Sequence, residues 1–263
     1  MNNHDLTPVL TDPSTSTSKP ESPPTTINVT LGDCRFISHI TTKEDGSYEC
    51  TNSAMRYFAE PINPTSSLSL RSRVQNILKQ QPGRWFDHPK HLDPIIAGCL
   101  SPSVRSSSRV NLEEHILGRN VVLTWRKILT RIFVGESITL HVSLIDGILY
   151  MEEEDPRPRW RAREYAFGDA VGMAFEGAYT VTSAKSKRKG RDQAKGRIQL
   201  GGLTHIGTQW RNIVVRTLGD LNLVFCGEVD AVRDLKNNTG RETDMDFFNR
   251  RIELKCRNSK GGK

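Results

Sequence analysis

No Cys-x-x-Cys pair occurs anywhere in the 263 residues. The five cysteines, Cys34, Cys50, Cys99, Cys226 and Cys256, are odd in number and scattered. That argues against a zinc site of the usual spacing and suits a reduced, intracellular thiol set. No segment is long and apolar enough to cross a bilayer, so no membrane association is expected, and the N-terminus lacks the apolar core of a signal peptide. Internal repeats are missing. So is the Arg/Lys-Gly-Phe aromatic pattern of the common RNA-recognition sheet. Apolar residues make up only 36% of the chain, and the N-terminal stretch explains part of that deficit. "TDPSTSTSKPESPPTTI" is rich in Ser, Thr and Pro and cannot bury enough apolar surface to fold. The expected organisation is a disordered tail over 1–30 and one domain over 31–263.

What is present in excess is positive charge, with a net charge of +7 and a pI of about 9.3. "KSKRKGRDQAKGR", residues 185–197, holds much of it. A solvated loop, a contact to a phosphate backbone and a nuclear import signal all remain open for this run. A basic balance does not by itself show nucleic-acid binding.

Along the chain, "CRFISHITT" and "YECT" flank "EDGS" as a short hairpin. "LRSRVQNILKQ" places Leu70, Val74, Ile77 and Leu78 on one helical stripe. "NLEEHILGRNVVLTWRKILTRIF", 111–133, reads as one longer helix with Asn111 as N-cap and Glu113 and Glu114 in the first turn. Ile138, Leu140, Val142 and Leu144 alternate, and "DG" at 146–147 suits a tight hairpin turn. "RAREYAFGDAVGMAFEG" reads as a helix interrupted by Gly168 and Gly172. "WRNIVVRTLGDLNLVFCGEVDAV" gives two strands joined around Gly219, and "RRIELKCR" a final one. Helices come first, mixed with one hairpin, and strands dominate later. The expected class is α/β, of mixed α+β type.

Two acidic motifs stand out. Glu228 and Asp230 lie two apart after the apolar run "LVFC", and Glu253 and Lys255 lie two apart in the final strand. Side chains at i and i+2 of a strand share a face. If the two strands are neighbours, three carboxylates and one ammonium converge. Carboxylates that close need protons or cations to neutralise them. Lys255 supplies one charge, and a hard divalent ion such as Mg²⁺ or Mn²⁺ is the simplest further source. Such a site suits phosphodiester hydrolysis, with Lys255 holding the attacking water or a phosphate oxygen. A lone Asp/Glu-x-Lys is weak evidence, and Asp234-Leu235-Lys236 at a loop edge is another. For Glu253-Leu254-Lys255 taken alone, a solvated strand face with a salt bridge is the plainer reading.

Taken in order, "TWRKILT", "GMAFE", "CGEVD" and "IELK" resemble the motifs of the DXO/Dom3Z family of decapping nucleases. "LHVSLIDGILYMEEEDPRPR" resembles that family's hairpin before its second motif, and "MRYFAEP" its early segment. The resemblance implies a two-sheet core of the Asp/Glu-x-Lys nuclease type. It implies action on RNA 5′ ends: removal of incomplete caps, NAD caps or 5′ triphosphates, leaving 5′-monophosphate RNA. It implies Mg²⁺ or Mn²⁺ held by Glu176, Glu228, Asp230 and Glu253 with the Leu254 carbonyl, and catalysis shared among Lys255, Glu253 and Asp230. Lys255, Glu228, Arg126, Arg56 and Arg211 would face substrate, Arg126 on the RNA backbone and Arg56 near the 5′ end. A nuclear, or nuclear and cytoplasmic, location follows from the same likeness. So does a nuclear 5′→3′ exoribonuclease as a partner.

The pattern also departs from that family. Lys127 follows Arg126 where a Gly is usual, and "HLDPIIAGCLSP" has no Glu where the family has a substrate-contacting acid. The family continues past its Glu-x-Lys strand with a Gln-bearing helix and more sheet, so the core is expected to be truncated at its C-terminal end. A catalytically impaired paralogue that binds RNA beside an exoribonuclease is the alternative. A basic RNA-binding module whose acidic motifs are coincidental is the third reading.

Overall fold

Five consecutive buried residues, Val121–Trp125, form β4 at the heart of the larger sheet. The computed structural model describes residues 30–43, 45–59, 70–80, 91–101, 120–154, 162–181, 208–233 and 244–255. The single long helix expected over 111–133 is corrected here. Residues 111–119 lie outside the described part, "VVLTW" is strand, and the helix α3 begins only at Arg126 and ends at Phe133. The physical reason is tertiary. β4 pairs in parallel with both its neighbours, and parallel strands covered on both faces read as unbroken apolar runs. Thr124 is fully buried and satisfies its hydroxyl by donating to the Met151 carbonyl at 2.8 Å.

Around β4 the larger sheet has seven strands. They are β1 (Leu31–Thr42), β2 (Tyr48–Glu49), β5 (Leu140–Ile145), β6 (Ile148–Glu153), β8 (Gln209–Leu218) and β9 (Leu221–Glu228) besides β4, in the order β2-β1-β8-β9-β4-β6-β5. The β1–β2, β5–β6 and β8–β9 pairs form as expected. Asp146 and Gly147 both take positive φ, 51° and 81°, as the tight turn requires. The alternation in β5 does not bury one face: Leu140 packs against the core, but Val142 and Leu144 are exposed on this terminal strand. The main core joins Ile37 and Ile40 of β1, Ile213 and Val215 of β8, Val224 and Cys226 of β9, and Ile95 and Cys99 of α2 (Asp93–Cys99). Ile213 has no exposure at all. Ile213→Ala is expected to lower stability by about 2–5 kcal/mol, read by chemical denaturation.

The smaller sheet has the order β11-β10-β3-β7, from β3 (Tyr57–Phe58), β7 (Thr180–Val181), β10 (Ala231–Val232) and β11 (Arg251–Ile252). Three strands, the long β1 and the short β2 and β3, precede the first helix, against the expectation that helices come first. The stripe on α1 (Arg71–Gln80) is as read: Val74 and Ile77 bury against Ala170 and Ala174 of α4 (Ala162–Tyr179), flanked by Leu70 and Leu78. α4 runs unbroken through Gly168 and Gly172, correcting the expected interruption. The last helix is α5 (Asp244–Asn249). The "RRIELKCR" strand shrinks to two residues, with Glu253, Leu254 and Lys255 following it. Cys34, Cys50, Cys99 and Cys226 are free thiols. Among the described residues no helix is long and apolar enough to cross a membrane. The basic run at 185–197, Asp234-Leu235-Lys236 and Cys256 lie outside the described residues.

Candidate active site

The acidic motifs meet by a route different from direct strand pairing. Glu228 is the last residue of β9 in the larger sheet. The chain then leaves that sheet through Val229 and Asp230 and enters the smaller one at Ala231. β9 and β11 are not neighbours. β10 links them, pairing antiparallel with β11 so that Ala231 faces Ile252 and Val232 faces Arg251. Asp230 thereby reaches the segment after β11, and its Oδ2 accepts the Leu254 N–H at 2.5 Å. The shared strand face expected for Glu228 and Asp230, and for Glu253 and Lys255, is replaced by a junction between two sheets.

Glu253 is held by cations on both oxygens. Lys255 Nζ lies 2.6 Å from Oε1, and Arg126 Nη1 donates to Oε2 at 3.4 Å. Partial burial opposes its charge, yet the Lys255 hydrogen bond and the Arg126 and Lys255 charges together hold the carboxyl below its usual range. Lys255 is raised in turn, first by its bond to Glu253. Asp230 is raised by burial, with Glu253 adding to the effect and the Leu254 N–H opposing it.

Glu176 sits in the last turn of α4, where Thr180 Oγ1 donates back to its carbonyl at 2.8 Å. Burial, then the charges of Glu228 and Asp230, push its carboxyl up to about 8, against the pull of Arg56 and Lys255. Arg56 is itself lowered by burial while Glu176, Glu228 and Asp230 favour its charge. Four expected residues, Glu228, Asp230, Lys255 and Arg56, thus lie within electrostatic reach of a fifth, Glu176. Glu253 is tied to the same junction through Lys255.

Arg126 opens α3 directly after β4, and its side chain lies across Gly227 of β9. A Cβ at Gly227 would stand 2.9 Å from both Cδ and Nε of Arg126. Gly227→Ala should therefore displace the Arg126 side chain from the β9 surface along which it would meet RNA. A three- to tenfold loss of RNA affinity is expected, roughly what a 1–3 kcal/mol overpacking strain delivers in part to that one contact. Fluorescence anisotropy with a 5′-monophosphate oligonucleotide in Ca²⁺ checks it. Arg211 is the register partner of Glu228, with its guanidinium over the Trp125 ring, 5.0 Å from the centroid.

In type the acids suit a hard divalent cation: Glu176, Glu228, Asp230 and Glu253 offer carboxylate oxygens, and such an ion would favour the charged form of Glu176, whose carboxyl is pushed up to about 8. They do not form a ready cage. Among the described residues no three His, Cys, Asp or Glu side chains stand close enough together to hold a metal ion. Both oxygens of Glu253 face cations, Lys255 and Arg126, and Oδ2 of Asp230 accepts the Leu254 N–H.

Residue-level reading could not find Glu176, which lies in a helix far from the other acids in sequence; only the motif resemblance reached it. Gln209 was missed altogether. Its Nε2 donates to Glu228 Oε2 at 3.0 Å. The signal lay in the β8–β9 register, which brings position 211 opposite Glu228 and position 209 just beyond it.

A mixed α/β core of two sheets, with acids and a lysine gathered where one sheet hands over to the other, defines the PD-(D/E)XK nuclease class. The chain belongs to the RAI1-like PD-(D/E)XK nuclease family, which it matches over residues 33–262. Among curated proteins it is 27% identical over 183 residues to a decapping nuclease RAI1 of Mycosarcoma maydis, covering 59% of this chain and 36% of the relative. It is 30% identical over 159 residues to the decapping nuclease RAI1 of Cryptococcus neoformans, covering 56% and 37%. The chain thus spans little more than a third of those relatives' length. Among solved structures, Candida albicans Rai1 in complex with pU5 and Mn²⁺ superposes with a TM-score of 0.56 at 15% identity, covering 87% of this chain and 60% of that one. Scheffersomyces stipitis Rai1 gives 0.56 at 14%, covering 88% and 65%. At these identities the likeness is one of fold.

Proposed function

We propose that the protein is a divalent-metal-dependent hydrolase of RNA 5′ ends, removing incomplete caps, NAD caps or 5′ triphosphates and leaving 5′-monophosphate RNA. The observation that carries this is the meeting of Asp230, Glu253 and Lys255 at the junction of the two sheets, with the Glu176 carboxyl pushed up to about 8 by its burial and by Glu228 and Asp230. Strongly perturbed acids beside a lysine mark a site built for charge at a reacting centre. The relatives' name, decapping nuclease, supports the same reading, as do the pU5 and Mn²⁺ bound by one fold neighbour. Another fold neighbour, Rai1 of S. stipitis at a TM-score of 0.54, binds (3′-NADP)⁺ and calcium, which is consistent with a dinucleotide-sized 5′ group.

Mg²⁺ or Mn²⁺, held by Glu176, Glu228, Asp230, Glu253 and the Leu254 carbonyl, would neutralise phosphate oxygens and promote ionisation of water. The chain's own groups do the rest. Lys255 places a point charge beside the scissile phosphate or the attacking water. Arg126 draws the RNA backbone along the Gly227 surface. Arg56 balances the acids from the buried side and lies toward the 5′ group. Asp230 fixes the loop that presents Glu253 and Lys255 by accepting the Leu254 N–H.

A product assay tests the proposal, with 5′-triphosphate, NAD-capped and 5′-monophosphate RNAs each incubated with Mg²⁺, Mn²⁺ or EDTA. The expected result is metal-dependent release of pyrophosphate or cap with a 5′-monophosphate product. Equal turnover in EDTA, or no 5′ product with either ion, overturns it. The same reading carries a nuclear, or nuclear and cytoplasmic, location and association with a nuclear 5′→3′ exoribonuclease.

A further inference from the structure

Ile213 and Val215 of β8 point into the main core, so Asn212, Val214 and Arg216 point to the other face of the larger sheet. Residues opposed across an antiparallel ladder share a face. Gly227 opposes Asn212, Phe36 opposes Val214 and Cys34 opposes Arg216. The Arg126 side chain occupies the space where a Gly227 Cβ would stand, so it lies on this face too. From Asn212 to Arg216 along β8 the distance is about 13 Å, at roughly 3.3 Å per residue.

Arg251 bridges that interval. α5 packs on this face through Phe248, which is 5% exposed and whose ring centroid is 5.4 Å from that of Phe36. The Arg251 guanidinium is seated on the Phe248 ring, 3.6 Å from its centroid. It lies within electrostatic reach of Arg126, and both it and Arg216 lie within reach of Cys34. Three guanidiniums thus cross one face, from the Arg126 contact with Glu253 to the start of β1, where Arg216 Nε donates to the Gly32 carbonyl at 2.7 Å. Arg251 is exposed and Arg216 half-buried, and among the described residues neither forms an ion pair with a carboxylate. Cations seated on an aromatic ring and a backbone carbonyl, rather than on acids, keep their attraction for an anion. Asn212, at the Arg126 end, is 3% exposed, and neither polar atom of its amide has a partner among the described residues. A buried amide left so calls for a partner from outside the chain.

We infer that Arg251 and Arg216 extend the Arg126 contact into a track for the RNA backbone, leading away from the reacting 5′ end. This rests on the proposed reading of the junction as the place where that end reacts. Arg126 meets the phosphate nearest the junction, Arg251 a phosphate further along and Arg216 one further still. Such contacts fix position and carry no sequence information, so the track accepts any sequence and favours chains long enough to reach Arg216.

The experiment uses the full chain in EDTA. Binding of a 5′-phosphorylated decanucleotide RNA is read by anisotropy from about 50 to about 200 mM salt. Arg251→Met and Arg216→Met are each expected to weaken it about three- to tenfold, as loss of one exposed charge contact does. Each should also reduce the slope of log affinity against log salt by about 0.7, the share of one phosphate on a single strand, and the double variant by about 1.4. Arg251→Lys should restore the slope, because lysine still supplies a point charge; a residue that only supports α5 would show no such rescue. A 5′-mononucleotide, read by calorimetry, occupies the junction alone and should bind the parent and all variants within about twofold. Arg216→Gln, which can still donate to Gly32, replaces Arg216→Met should that variant fail to fold.

Parental affinity and slope for the decanucleotide in both methionine variants overturn the inference. So does an equal loss with the mononucleotide, which would place the two arginines at the reacting end. Neither metal nor turnover enters these measurements, so the track and the proposed chemistry fail separately. Unchanged decanucleotide binding removes the track alone, and a missing 5′ product in the assay above removes the chemistry alone.

Discussion

Glu253→Ala is expected to abolish metal-dependent release of 5′ products, by about 10³-fold or more, without weakening RNA binding. Three effects combine. The change removes a carboxylate from the donor set, which weakens the charge stabilisation a cation can give at the phosphate. It releases Lys255, whose ammonium is positioned by a 2.6 Å bond to Glu253, and loss of one preorganised charge at a reacting centre alone lowers turnover about 10²- to 10³-fold. It also frees Arg126 from its 3.4 Å contact. The last two effects leave two unpaired cations facing a polyanion, so RNA affinity should hold or rise slightly. That opposite movement of binding and turnover distinguishes a catalytic loss from an unfolded variant. Single-turnover product release and anisotropy on the same preparation measure both. Turnover unchanged from the parent would remove Glu253 from the chemistry.

Much of the fold could be read from local pattern, and the failures share one cause. The β5–β6 turn was plain because Asp146-Gly147 supplies two residues that tolerate positive φ. The α1 stripe was plain because its spacing repeats over two turns and meets small residues on α4. "VVLTWRKILTRIF" misled because a strand buried on both faces has no alternation, and it runs straight into an amphipathic helix at Arg126. Periodicity cannot separate a buried strand from a buried helix segment. The acidic motifs misled in a related way. Their i, i+2 spacing suggested two adjacent strands, but Asp230 lies in the crossing between sheets and Glu253 lies just past a two-residue strand. The residues named were brought to one junction by topology that no local window contains, with β10 between them. Glu176 and Gln209 show the limit most clearly. One joins from a helix that ends against the smaller sheet, the other through strand register alone.

Glu176→Gln should move stability in opposite directions with and without metal. The parent carboxyl has a folded value of about 8 against an ordinary 4.5. Between those values the folded state holds a proton that the unfolded state has lost. The metal-free parent is therefore fully stabilised below about pH 4.5, loses stability as pH rises through the window, and has lost all of this contribution above about pH 8. Glutamine mimics the protonated form at every pH. In EDTA the variant should match the parent near pH 5 and exceed it by about 2–4 kcal/mol near pH 8.5, allowing for relaxation around the charged carboxylate. With millimolar Mn²⁺ the order should reverse, because the parent gains binding energy that the variant lacks. Mn²⁺ uptake by the parent at pH 7 should release close to one proton, and its affinity should rise about tenfold per pH unit until about pH 8. Thermal melts from pH 5 to 9 in EDTA and in Mn²⁺ read the first two effects. Calorimetry in buffers of different ionisation enthalpy reads the third. A variant no more stable than the parent at pH 8.5 in EDTA would mean that Glu176 does not sit among uncompensated negative charge, and the case for a cation there would lose its main support.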